Sequence, residues 1–101
     1  MERNGKGKEY CVGKLVFEGE YLNGKRNGKS KEYDHEILIF EGECLNGERN
    51  GKGKEYDSDN ELIFEGEYLN GKRNGKGKEF YENGKVKYEG EYLNGKRKNP
   101  N

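Results

Sequence analysis

The residues most able to do chemistry stand in one octet, Asn23 to Ser30, which reads NGKRNGKS. A glycine-rich loop ending in Gly-Lys-Ser is the form of a P-loop, whose backbone amides cradle phosphates while its lysine reaches their oxygens. The spacing fails that reading. A P-loop needs four residues between its first glycine and Gly-Lys-Ser, and Gly24 and Gly28 have three between them, with Asn23 where the glycine would have to be. A P-loop also joins a buried apolar strand to the N-terminus of a helix. Glu18-Gly19-Glu20-Tyr21-Leu22 is no buried apolar strand, and Lys31-Glu32-Tyr33-Asp34 opens no amphipathic helical run. The octet also recurs, as NGERNGKG from Asn46 and NGKRNGKG from Asn70, so Ser30 replaces a repeated glycine in one copy.

Other reactive side chains are sparse. The serines are Ser30 and Ser58, threonine is absent, and His35 is the single histidine, set between Asp34 and Glu36 in a segment read as a turn. A nucleophile–base set is defined by geometry, which a turn histidine without a partner does not supply. Carboxylates paired as Glu18 and Glu20 recur in every copy with lysines to oppose them, whereas a glycosidase keeps one such pair in one pocket. The stretch DSDNELIFEGEY from Asp57 starts like a calcium loop, yet Leu62 and Tyr68 occupy the positions that need Gly and Glu. The expectation is a non-enzymatic chain with no catalytic residue, no cofactor, no metal and no small-molecule substrate.

The elements that carry these residues follow from composition and period. Of 101 residues, 28% are apolar and 40% charged, against ~45–50% apolar for a conventional globular chain. Lys and Arg number 20, as do Asp and Glu. A chain without net charge lacks the basic footprint of a nucleic-acid binder. Disorder by composition goes with high net charge and few aromatics; here eight Tyr and four Phe recur periodically, which argues for a repeat with a thin core. No apolar run reaches the length of a membrane span, and MERNGKGKEY has no signal-peptide core. Two cysteines make no disulfide framework. A cytoplasmic location is expected, peripheral to a membrane or the cytoskeleton.

Glu-Gly-Glu occurs from Glu18, Glu41, Glu65 and Glu89, at offsets of 23, 24 and 24 residues. Each sits in aromatic-Glu-Gly-Glu-x-Leu-Asn-Gly, and self-similarity at such a period marks a stacked repeat. The array covers 1–101: a half unit 1–16, full units 17–39, 40–63 and 64–87, and a half unit 88–101. Each unit reads as a β-hairpin, strand A over Leu15 to Leu22 and strand B over Asn27 to Asp34, because Asn-Gly between alternating segments is the strongest short-range hairpin signal. Side-chain parity places Glu20 opposite Lys29 around a loop of Asn23-Gly24-Lys25-Arg26, with Glu18 facing Lys31 and Val16 facing Tyr33. Gly19 then meets Ser30 and Tyr21 meets Gly28. Later units give Glu43–Lys52, Glu41–Lys54, Glu67–Lys76 and Glu65–Lys78. One face carries a Glu/Lys ladder bordered by Leu22, Leu45, Leu69 and Leu93. The other stacks Phe17, Tyr21, Phe40, Phe64, Tyr68, Tyr88 and Tyr92 around Gly19, Gly42, Gly66 and Gly90, where glycine leaves room for a neighbouring ring. Cys44 fills one ring position less fully. It lies three strands, ~14 Å, from Cys11, so both are expected as free thiols.

These segments resemble a MORN (membrane occupation and recognition nexus) repeat, a family similar to aromatic-x-Gly-Glu-aromatic-x-Asn-Gly-Lys-x-x-Gly-x-Gly. FEGEYLNGKRNGKS from Phe17, FEGECLNGERNGKG from Phe40 and FEGEYLNGKRNGKG from Phe64 carry the likeness, and YEGEYLNGKR from Tyr88 carries part of it. Departures are Cys44, Glu48, Ser30, and Asn27, Asn50 and Asn74 where many members have His. YENGKVKYEGEY from Tyr81 also resembles a bacterial variant found in antitoxin components. The resemblance implies an all-β, single-layer, elongated antiparallel meander of hairpins. It implies a scaffold for protein–protein interaction or self-association, with phosphoinositide binding as an alternative. An antitoxin-like regulatory binder, or the repeat segment of a larger enzyme, is a third.

Basic residues gather at the hairpin tips: Lys25, Arg26, Arg49, Lys72, Arg73, Lys96 and Arg97. Lining one edge at ~10 Å intervals, they are the candidate contacts for an anionic membrane surface or a partner. Glu48 interrupts the row. The half units predict eight strands with unpaired outer edges at Asn4–Cys11 and Val86–Asn94, the latter blunted by Pro100 and its neighbouring lysines, and hence self-association.

Overall fold

The computed structural model describes residues 4–98. Alternating side chains and tight turns build nine strands: β1 (Gly5–Cys11), β2 (Lys14–Leu22), β3 (Lys25–Asp34), β4 (Ile37–Leu45), β5 (Glu48–Tyr56), β6 (Leu62–Leu69), β7 (Lys72–Phe80), β8 (Val86–Leu93) and β9 (Lys96–Arg97). They form one antiparallel sheet in chain order, with overall extents of 49 × 27 × 17 Å. The all-β meander expected from the repeat is what the chain forms. Among the described residues the count is nine rather than eight, because Lys96 and Arg97 pair with Leu93 and Tyr92 along the outer edge of β8. Pro100 lies outside the described residues.

The turn chemistry sets the register, and it differs from the one expected by side-chain parity. Asn23 and Gly24 take φ of 51° and 80°, the two-residue geometry whose twist matches that of the flanking strands. Leu22 therefore pairs with Lys25 and Tyr21 with Arg26. The four-residue loop and the Tyr21–Gly28 pairing do not form. Further along, Gly19–Ser30 and Glu18–Lys31 pair as expected. Between these two stretches Asn27, Gly28 and Lys29 lie against Glu20 alone, a β-bulge that absorbs the residues the short turn leaves over. Gly28 takes φ of 101° there, and Glu20 Oε1 accepts the Lys29 N–H at 2.7 Å. The same bond joins Glu43 to Lys52 at 2.9 Å and Glu67 to Lys76 at 2.7 Å. The expected charge pairs Glu20–Lys29, Glu43–Lys52 and Glu67–Lys76 are thus replaced by bonds from the same glutamates to the lysines' backbone amides. Glu41–Lys54 and Glu65–Lys78 pair as read. A second irregularity, at Glu32/Tyr33, pairs Tyr33 with Leu38 on the β4 side, while on the β2 side the expected register holds as far as Phe17–Glu32, one step short of Val16 and Tyr33.

Successive hairpins are stitched at their tips. The N–H groups of Gly47, Gly71 and Gly95 donate to the carbonyls of Arg26, Arg49 and Arg73. Asn4 and Asn74 accept the Asn23 and Asn94 amides at 2.9 and 3.1 Å. Each tip thereby positions the next.

The core is a line of rings on one face. Phe17, Phe40 and Phe64 are fully buried, although no second layer covers them. Their cover comes from tyrosines packed edge to face, such as Tyr68 against both Phe40 and Phe64 at 5.3 and 5.7 Å, and from arginines laid over their rings. A buried Phe stabilises by roughly 1.5–3 kcal/mol, so the phenylalanines supply more than the exposed charge ladder. Two kinds of glycine make the packing possible. A Cβ on Gly53 would stand 2.6 Å from the Phe40 ring and 3.0 Å from that of Tyr68. A Cβ on Gly42 would meet the Lys52 carbonyl and the Gly53 Cα at 2.5 and 2.6 Å. Room for the neighbouring ring is therefore made by strand-B glycines. Gly19, Gly42 and Gly66 of Glu-Gly-Glu instead allow close backbone approach, besides clearing the ring of their own strand, while Gly90 clears the Tyr88 ring alone.

Cys11 on β1 is exposed and Cys44 on β4 is buried, both as free thiols. His35 and Glu36 form the β3–β4 turn at positive φ, without glycine. Asp57 folds the β5–β6 loop by accepting the Asp59 and Glu61 amides, each at 2.9 Å.

Candidate interaction surface

The face opposite the rings is a groove. Strand register brings Gly7, Gly19, Ser30 and Gly42 into a line that continues through β8 to Gly90. A first rail beside it runs Lys8, Glu18, Lys31, Glu41 and onward to Glu89; a second runs Lys6, Glu20, Lys29, Glu43 and onward to Glu91. Together they border an open trough of about 1720 Å³. By strand alternation Leu22, Leu45, Leu69 and Leu93, each about half exposed, border the second rail. On the other flank Tyr33 and Tyr56 donate to Glu18 and Glu41 at 3.1 and 2.6 Å. Burial and the bond to Glu41 push the Tyr56 hydroxyl up to about 12. Along the first rail, Lys8–Glu18, Lys54–Glu65 and Lys78–Glu89 approach within 3.8–3.9 Å between hairpins. Exposed pairs of this kind are worth ~0.2–1 kcal/mol; they are available for exchange with a partner's charges.

The tips are built differently from their sequence reading. Lys25, Lys72 and Lys96 are exposed. The arginines beside them point back over the ring face. Arg26 holds Glu9 through two bonds of 2.8 and 2.9 Å and lies 4.0 Å above the Phe17 ring. Arg49 does the same with Glu32 and Phe40, Arg73 with Glu55 and Phe64, and Arg97 with Glu79 and Tyr88. Tyr21, Tyr68 and Tyr92 add a hydroxyl bond to Glu9, Glu55 and Glu79. The bond from Arg97 is the main cause that lowers Glu79 to about 2, against some opposition from burial. Burial opposes ionisation of Glu55 most strongly, but its bonds from Arg73 and Tyr68 outweigh that, and its pKa is lowered too. Burial and their glutamate bonds raise the Tyr68 and Tyr92 hydroxyls well above the usual phenol range. Fork-to-carboxylate pairing and ring stacking are what guanidinium geometry favours.

Glu9, Glu32, Glu55 and Glu79 were not singled out from the sequence. Their signal is visible in it: each precedes an aromatic in strand B and stands 17 or 18 residues before the arginine of the next hairpin tip. Phe17, Tyr21, Phe40, Phe64, Tyr68 and Tyr92 are buried and Tyr88 is half-buried. Among the described residues, no cluster of His, Cys, Asp and Glu could hold a metal ion.

A single-layer sheet that grows by one hairpin per unit, with a continuous charged groove on one face, defines a linear β-repeat protein. Its repeat is matched by the MORN repeat family model over residues 17–31, 40–61, 64–86 and 88–98. The chain belongs to the MORN repeat family, whose repeats generally mediate protein or membrane interaction and are of a non-enzymatic type. Among curated proteins, no significant match to the chain is found.

Proposed function

We propose that this chain is a non-enzymatic cytoplasmic scaffold that receives a protein partner in the charged groove. The observation that carries this reading is the pair of Lys/Glu rails, unbroken across β1–β8 on the face that the ring core leaves uncovered. The groove's charges alternate strand by strand, so they select a partner by register more than by bulk attraction.

Site-directed photo-crosslinking tests it. A photoreactive residue placed at Lys52 in the groove, and separately at Lys25 on a tip, is irradiated in native extract. Adducts from the groove position alone, with a protein partner or a second copy of this chain, are expected. They should diminish when Glu65→Lys and Glu67→Lys change the local pattern. Adducts from the tip alone would overturn the reading.

Peripheral binding to anionic lipid is the second reading, favoured by the exposed Lys25, Lys72 and Lys96. It has less support, because Arg26, Arg49, Arg73 and Arg97 are committed to internal glutamates. Salt-sensitive co-sedimentation with phosphoinositide vesicles, lost in a Lys25, Lys72 and Lys96 triple alanine variant, would establish it.

A further inference from the structure

Resting on the groove as the docking site, we infer that its occupant is an extended, acidic protein segment with a carboxylate at every third residue, in polyproline II conformation. Three observations converge on it.

The first is width. The two rails stand two residues apart on every strand, ~6.6 Å. An α-helix with side chains, ~10–12 Å across, would ride above the rails. An extended chain sits between them on the glycine floor.

The second is period. Equivalent groove positions recur every two strands, ~9.4–9.8 Å. A polyproline II chain repeats its face every three residues, ~9.3 Å. An α-helical heptad advances ~10.5 Å, and a β-strand repeats its face at ~6.6 Å. Over three repeats the polyproline chain stays in register to within ~1.5 Å, whereas the heptad drifts by ~2–3 Å.

The third is charge. Lys29, Lys52 and Lys76 recur on the second rail at that period, all exposed, and none has an ion-pair partner within 4 Å among the described residues. For Lys29 and Lys52 the reason lies in the bulges, while Lys76 faces Glu91 across β7–β8 without an ion pair within 4 Å. Glu43 faces Lys29 across β3–β4, but its carboxylate is held by the Lys52 amide. Glu67 faces Lys52 and is held by the Lys76 amide. The fold thus leaves a row of ammonium groups on one rail, at a spacing that carboxylates on every third residue meet. A polyproline II backbone also keeps its carbonyls unpaired and able to accept bonds from lysine.

Fluorescence anisotropy on the full chain tests this with three labelled peptides. The first is a (Glu-Pro-Pro) repeat. The second is an Ala-rich helix with as many glutamates at heptad spacing. The third is a (Glu-Pro-Pro-Pro) repeat of equal charge. The first should bind about tenfold tighter than the others. Lys29→Glu, Lys52→Glu and Lys76→Glu should each weaken it about fivefold, while Lys25→Glu leaves it unchanged; circular dichroism checks that each variant keeps its sheet. Equal affinity for all three peptides would overturn the inference. So would binding indifferent to these lysines, or phosphatidylserine vesicles bound through them in place of peptide. A helical peptide that binds best, and is lost in Lys52→Glu, would sink the extended partner yet leave the groove reading standing. The extended-partner inference falls together with that reading if no peptide depends on groove lysines and groove crosslinks are absent.

Discussion

The β3–β4 junction and the β5–β6 junction occupy the same place in the repeat and are packed in different ways. At β5–β6, Gly53 leaves space for Tyr68, whose ring meets Phe40 and Phe64 and whose hydroxyl reaches Glu55 at 2.5 Å. At β3–β4, Ser30 stands for the glycine and Cys44 for the tyrosine. Ser30 Oγ lies 2.9 Å from Cys44 Sγ and 3.3 Å from the Gly42 carbonyl, which it bonds. Burial raises the Cys44 thiol above its ordinary range, with the Ser30 bond opposing. The two departures are one exchange: volume gained on strand B is given up on strand A. The consequence is a break in the core. Phe17, Tyr21 and Cys44 form one cluster; Phe40, Phe64, Tyr68 and Tyr92 form another. A repeat protein transmits stability through neighbour contacts, so the junction is where cooperativity should be weakest.

The largest effect should come from removing a ring on either side of that break. Phe64 touches both Tyr68 and Tyr92, whereas Phe17 has a ring contact with Tyr21. Phe64→Ala should cost ~3–5 kcal/mol, and Phe17→Ala about 1 kcal/mol less, by the extra aromatic pair. Urea unfolding followed by far-UV circular dichroism measures both. Equal costs would mean that the break has no energetic meaning.

A double-mutant cycle at the junction should give the next largest effect. Cys44→Tyr alone should destabilise by ~1–3 kcal/mol, because the ring meets the Ser30 side chain. Ser30→Gly with Cys44→Tyr should instead exceed the parent's stability by about 1 kcal/mol, restoring ring contacts and a hydroxyl bond to Glu32. A coupling below about 0.5 kcal/mol would show the two positions to be independent.

The smallest expected effect is acid sensitivity of the regular region. Glu55 and Glu79 have lowered pKa values in the fold. Depressed carboxylates contribute stability that is present above their unfolded pKa and lost as pH falls through the folded one. The urea midpoint should fall from about pH 5 downward, toward the folded Glu79 value of about 2. Glu79→Gln should be less stable at neutral pH and show a shallower decline. An unaltered decline would assign the acid response to other groups.

Much of the fold was legible because each repeat states it again. Asn-Gly announced each hairpin, the alternation of Glu-Gly-Glu with rings assigned the faces, and Gly19–Ser30 and Glu18–Lys31 followed from parity. Parity failed at Glu20. Charge matching treats the strands as straight rulers, but the Asn-Gly turn uses two residues, and the bulge it forces exchanges an ammonium for a backbone amide. The tip arginines misled for a related reason. Arg26 looks solvent-directed in a linear reading, and its partner Glu9 lies 17 residues away.

By itself the sequence determined a stack of hairpins with rings on one side and charges on the other, since period, turn residues and alternation are local properties. Only the tertiary structure decided which charges are left for a partner. Whether a glutamate meets a lysine's head or the peptide N–H behind it depends on how far each turn offsets the next strand, and that offset exists only once neighbouring strands lie side by side.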